Sequence, residues 1–230
     1  MTDSVVQYSL ENDVATITFD DGKANVITTQ ALTELSAAFD RAEQEARCVV
    51  WRGREGRFCA GFNLKVFAAG GPEALALLHA GADLAIRIYG FPIPVVIGCT
   101  GHALGMGAIY LLAADLRVGV QGTFKIGLPE VAIGMTMPGF GRILSTERLS
   151  PTYRERAVTC AEIFAPDAAQ TAGFIDSLVE GNALEESLAA LSQTLLTLDP
   201  TAHKQTKLAL RSKTINDLRA SLDEPFLQTH

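Results

Sequence analysis

The sequence has no excess of basic side chains: 19 Lys and Arg stand against 26 Asp and Glu in 230 residues, a formal charge of −7. With no Lys/Arg cluster either, a nucleic-acid or anionic-membrane surface is disfavoured. Cysteine is scarce, and Cys48, Cys59, Cys99 and Cys160 show no C-x-x-C spacing. The usual zinc and disulfide patterns are therefore missing, no metal site is expected, and four reduced, core-type thiols of a cytoplasmic protein are predicted. The opening MTDSVVQYSLEND lacks a basic patch followed by an apolar stretch, so no secretory signal is expected. No repeat of the solenoid kind is visible. Charge is also absent from the 27 residues between Ile88 and Ala114, which superficially suggests a membrane span. Pro92, Pro94 and five glycines break that stretch, so it reads as a buried strand, turn and helix.

What the chain does have is apolar substance, 48% of its residues, enough for a sizeable core in one large domain or a core with a small appendage. Val5 to Leu10 and Val14 to Phe19 read as a strand pair joined at Glu11-Asn12-Asp13, and Asp20-Asp21-Gly22 as a turn. Thr28 or Thr29 caps a helix to about Ala46, followed by the strand Cys48 to Trp51. The same order recurs as a helix Glu73 to Tyr89, a strand Pro94 to Cys99 and a helix Ala103 to Ala114. Strands follow at Leu116 to Val120 and Thr123 to Ile126, with a last one at Ile175 to Val179. From Pro151 the pattern is mainly helical: Thr152 to Cys160, Ala165 to Ala172, Leu184 to Leu198 and Pro200 to about Leu222, with a frayed tail from Asp223 to His230. Strand-then-helix order with apolar strands predicts an α/β protein.

Three segments carry the candidate chemistry. The first is Arg57-Phe58-Cys59-Ala60-Gly61-Phe62-Asn63-Leu64 and the second runs from Gly101 to Tyr110. Neither matches a dinucleotide or P-loop fingerprint. The second offers a glycine turn leading into a helix near Gly105, whose unpaired amides suit an oxyanion; close packing would demand the same glycines. In the third, Ile126 to Gly139, Glu130 is a lone carboxylate among Leu128, Val131 and Ile133, fit either to cap a helix or to act as a general base.

In this order, F-C-A-G-F-N-L, G-H-A-L-G-M-G and G-L-P-E-V-A-I-G-M-x-x-P-G resemble the crotonase (enoyl-CoA hydratase/isomerase) superfamily over nearly the whole chain, from Lys23-Ala24-Asn25 to the helical end. The resemblance implies a spiral of ββα units over residues 1–180 carrying the CoA-ester site. A helical region, 181–230, would serve oligomerisation and cover the site, in trimers or pairs of trimers. It implies an acyl-CoA thioester substrate, coenzyme A entering only as part of it, and no permanently bound cofactor. The backbone amides of Phe62 and Met106 would hold the thioester oxygen as an enolate forms. Ala60, Gly61, Leu64, Gly105, Gly107 and Ile109 would line the substrate, and Lys207 would reach the nucleotide end. Arg57 and Lys65 at the first motif read equally as contacts for CoA phosphates or as solvated charges, His102 and Asp115 read as structural, and Phe140 would narrow the acyl pocket.

The acids depart from the hydratase pattern. Hydratases of the family carry a second glutamate three residues past the second donor, where this chain has Ile109. An isoleucine neither holds nor deprotonates water. With Glu130 alone, the resemblance implies Δ3–Δ2-enoyl-CoA isomerisation through a dienolate. The alternatives are hydration, decarboxylation, thioester hydrolysis, or acyl-CoA binding without turnover.

Overall fold

The structure, a computed structural model, describes residues 4–224. It opens with an antiparallel hairpin of β1 (Val6–Glu11) and β2 (Val14–Phe19), turned by Asn12 and Asp13 at positive φ, a backbone region these two residue types tolerate. After β3 (Val26–Ile27), Thr28 accepts the Ala31 amide at 3.1 Å and starts α1 (Thr29–Glu45). The buried stripe of α1 is Ala31, Leu32, Leu35, Ala38, Phe39 and Ala42, the period of a helix covering a sheet.

From here the chain repeats a ββα theme. β4 (Cys48–Arg52) is followed by β5 (Gly56–Cys59), the short β6 (Gly61–Phe62), α2 (Leu64–Ala69) and α3 (Gly71–Tyr89). β7 (Val95–Cys99) is followed by β8 (Gly101–Leu104) and α4 (Met106–Ala113), and β9 (Leu116–Val120) by β10 (Ile126–Gly127) and α5 (Gly139–Arg148). Then come α6 (Pro151–Val158), β11 (Ile163–Phe164), α7 (Pro166–Ala172), β12 (Ser177–Val179), α8 (Leu184–Leu196), α9 (Pro200–Ala220) and a 3-10 turn, Ser221–Asp223. Each unit gives its first strand to a six-stranded sheet ordered β1-β2-β4-β7-β9-β12 and its second to a four-stranded sheet ordered β11-β10-β8-β5. β3 and β6 pair separately, in parallel. The helix of each unit must return the chain to the first sheet, and the repeated return winds the spiral expected from the resemblance.

Trp51 anchors the core: its ring centroid lies 5.9 Å from Phe39 of α1, 5.3 Å from Phe58 of β5 and 5.0 Å from Tyr110 of α4. Four elements thus meet at one fully buried side chain. On another face of the large sheet, Cys48, Val50, Val96, Val118 and Val120 are covered by Leu184 and Leu188 of α8. The helical end therefore packs as part of the same body.

Several expected boundaries move. Ala103 and Leu104, expected in a helix, are strand: they pair with Ile126 and Gly127 of β10, and the ladder outweighs their helical propensity. α4 begins only after Gly105, whose φ is +54°. The strand expected at Thr123 to Ile126 shrinks to Ile126–Gly127. α5 opens on Pro138-Gly139-Phe140-Gly141, a run that reads as loop until its buried face is seen. The expected frayed tail from residue 225 onward lies outside the described residues. The uncharged stretch resolves into β7, β8 and α4, and among the described residues no helix is long and apolar enough to cross a membrane. Cys48, Cys59 and Cys99 are buried and burial pushes their thiols up, to about 11, 12 and 12. Cys160, also expected in apolar surroundings, is exposed.

Candidate active site

The first two motifs meet at Gly61. A β-carbon there would lie 2.8 Å from the Leu104 carbonyl oxygen and 3.3 Å from the Met106 amide nitrogen, so only glycine lets the strands approach this closely, at φ +84°. The Met106 amide thus stands against the residue that precedes the Phe62 amide. Ala60 donates to Asn25 O at 3.1 Å and Asn63 to Ile27 O at 3.1 Å, which ties the segment to β3. Phe62 lies between these two anchors, next to Gly61. Met106 heads α4, and the first bond inside that helix is Ile109 N to Gly105 O at 3.0 Å. The amides of Met106, Gly107 and Ala108 therefore have no partner within the helix and carry its positive end. Gly107 comes close to β5: a β-carbon there would stand 2.3 Å from the Cys59 carbonyl oxygen.

Glu130 comes to the same point from the third motif. Val131 and Ile133 are 45% and 49% exposed and do not enclose it. Glu130 turns inward instead, is only 7% exposed, and has Oε1 3.3 Å from where a Gly105 β-carbon would be. Oε2 has no hydrogen-bond partner, and the side chain makes no capping bond to the 3-10 turn Val131–Ile133 that it precedes. Burial pushes its carboxyl from an ordinary 4.5 up to about 7, opposed by a bond from its own amide. A carboxyl poised near neutrality beside unpaired amides can take and return a proton while negative charge is held nearby.

Ile109, one turn into α4, is 2% exposed, and its Cδ1 would be 3.3 Å from a β-carbon at Gly141. Next to it Met137, Phe140, Leu78 and Leu222 line a cavity of about 230 Å³ rimmed by His79 and Arg142, the latter ion-paired with Glu224. Leu64 opens α2 and is 59% exposed; Asn63 caps that helix by accepting the Lys65 amide at 3.1 Å. His102 accepts the Lys125 amide on Nδ1 at 3.0 Å, so its role here is structural.

Lys207 does not stand where the resemblance implies. Its ammonium is buried, donating to Asp115 Oδ2 at 2.7 Å and to Ile93 O at 3.4 Å, rather than reaching outward to a nucleotide. Asp115 also pairs with Arg211 at 2.9 Å and accepts the Val95 amide at 2.7 Å. Lys207 thus fastens α9 to the large sheet. Residue type and spacing carry no signal for this pairing, because a lysine on a long polar helix looks solvated until its partner is known. Asn25, at the N-terminal edge of the family resemblance, is fully buried, and its Nδ2 donates to the Phe19, Phe58 and Arg57 carbonyls at 2.7, 3.1 and 3.2 Å. It clamps β5 at the start of the first motif.

Similarity to known proteins agrees with this architecture. The sequence model of the enoyl-CoA hydratase/isomerase family matches residues 9–224. An enoyl-CoA hydratase/isomerase family protein from Pseudomonas syringae superposes with a TM-score of 0.94 at 38% identity, over 95% of each chain. A Mycobacterium tuberculosis protein described both as an enoyl-CoA isomerase and as a probable enoyl-CoA hydratase gives 0.91 at 33% identity over 96% of each chain, and an enoyl-CoA hydratase from Mycobacterium ulcerans 0.92 at 34% over 95% and 96%. A probable enoyl-CoA hydratase of Bacillus subtilis is 32% identical over 154 residues; the match spans 65% of this chain and 57% of that protein. With its ββα spiral and three motifs gathered at the head of α4, the chain belongs to the enoyl-CoA hydratase/isomerase, or crotonase, family.

Proposed function

We propose that the protein is an acyl-CoA enzyme that isomerises 3-enoyl-CoA to 2-enoyl-CoA with a single carboxylate. The observation that carries this reading is the pairing of one buried carboxyl, Glu130, beside the head of α4 with an apolar Ile109 one turn further along. The Glu130 carboxylate takes a proton from C2, the electron pair moves into a dienolate, and the thioester oxygen accepts from the Phe62 and Met106 amides. Glu130 then gives the same proton to C4, and the double bond comes to rest between C2 and C3. No water is consumed, so no second acid is needed to activate one. Each amide donor contributes roughly 3 kcal/mol to lowering the barrier.

Glu130→Gln keeps the shape and removes the base. It is expected to lower kcat for 3-hexenoyl-CoA by about 10² to 10⁴ with KM little changed. Full turnover in that variant eliminates Glu130 as the base. The wild-type protein is expected to hydrate crotonyl-CoA poorly or not at all, and robust hydration would move the assignment to a hydratase.

A further inference from the structure

Gly81, in the middle of α3, touches both elements that present the donor amides. A β-carbon there would stand 2.5 Å from Phe62 Cζ and 2.6 Å from Phe62 Cε1. The Phe62 ring occupies the notch left by the missing side chain and makes ring contact with Phe67 of α2, at a centroid distance of 5.1 Å. The Gly81 carbonyl accepts from Tyr110 Oη at 3.3 Å, and Tyr110 is fully buried on α4, one turn past Met106. Glycine inside a helix costs about 1 kcal/mol relative to alanine. Gly81 lies in ordinary helical backbone, so what its position demands is space rather than an unusual φ.

We propose that Gly81 is a positioning residue for the oxyanion site: it sets the Phe62 amide relative to the Met106 amide by seating the Phe62 ring and accepting the Tyr110 hydroxyl. The proposal rests on the acyl-CoA reading above. An oxygen held by two amides needs both within about 2.7–3.1 Å. With a methyl group at residue 81, the Phe62 ring must retreat by about 1 Å to reach ordinary contact. The ring is hinged on the residue whose amide is the donor, so the displacement reaches the site.

The test uses hexanoyl-CoA labelled with carbon-13 at the thioester carbonyl, its stretching frequency read by infrared difference spectroscopy on the bound complex. In the wild-type protein the frequency falls on binding, because two donors polarise the bond. Gly81→Ala is expected to lose most of that fall and to lower kcat for 3-hexenoyl-CoA about 10- to 100-fold with KM nearly unchanged. Adding Phe62→Leu to Gly81→Ala removes Cε1 and Cζ and is expected to recover both readouts. Tyr110→Phe, which keeps the volume and loses only the hydroxyl, is expected to lose part of the frequency shift. A wild-type shift and kcat in both Gly81→Ala and Tyr110→Phe overturns the proposal, as does failure of the Phe62→Leu rescue. An unshifted carbonyl in the wild-type protein overturns the acyl-CoA reading itself, and the proposal with it.

Discussion

At the scale of single residues, Glu130 and Lys207 have opposite relations to burial. Glu130 is buried with a free oxygen, so its charge is disfavoured and its carboxyl sits near 7. As a base it works only when ionised, so kcat/KM is expected to rise with pH through a single step centred near 7 and level off above it. A pH–rate profile with a 3-enoyl-CoA checks this; a flat profile between pH 5.5 and 8.5 would contradict it. Lys207 is buried with its partner in place. Lys207→Met is expected to cost about 3 kcal/mol of stability by leaving Asp115 short of one cation. KM for an acyl-CoA should stay within about twofold, since the ammonium faces inward. Thermal denaturation and steady-state kinetics on one variant separate these two effects.

At the scale of elements, α4 is the part on which both chemistry and packing depend. Its eight residues are all buried, its first amides face Gly61, and the carbonyls of Ala114 and Asp115 just beyond it accept from Arg148 Nη2 at 3.0 and 3.2 Å. A cation at the negative end of a helix is favourable. The contact between Gly107 and Cys59 sets how close α4 comes to β5. Because the obstructing atom is a backbone oxygen, Gly107→Ala cannot be absorbed by a rotating side chain. It is expected to destabilise by about 1–3 kcal/mol and to lower kcat by roughly 10- to 100-fold as the Met106 amide shifts. Urea denaturation together with kcat on the folded fraction measures both. Loss of stability with unchanged kcat would show that the Met106 amide tolerates the displacement.

At the scale of the whole molecule, the raised carboxyl becomes a stability statement. Between its unfolded value near 4.5 and its folded value near 7, Glu130 binds more proton in the folded state than in the unfolded one. Its contribution to stability therefore falls as pH rises through that window and is constant above it, a loss of about 3 kcal/mol. Glu130→Gln removes the term. The variant is expected to be more stable than the wild type at pH 8 and to lose that advantage by pH 4, as denaturant titrations at the two pH values would show. An inactive yet stabilised protein is what a buried functional carboxyl predicts.

The sequence alone carried the α/β class, the N-cap of α1, the apolar period of α1 and α3, the interruption of the uncharged stretch, and the three motifs with their family resemblance. The elements and each single motif are local, set by residue type and spacing within about two dozen residues, and the resemblance adds only the order of those motifs along the chain. The folded chain makes Ala103 and Leu104 strand, because their ladder partners lie more than twenty residues away. It also decides that Glu130 turns in while Val131 and Ile133 turn out, that Lys207 closes on Asp115, and that Gly81 makes room for Phe62. Burial and pairing across the fold are properties of two or more distant segments at once, and residue spacing along one segment does not encode which distant partner it will meet.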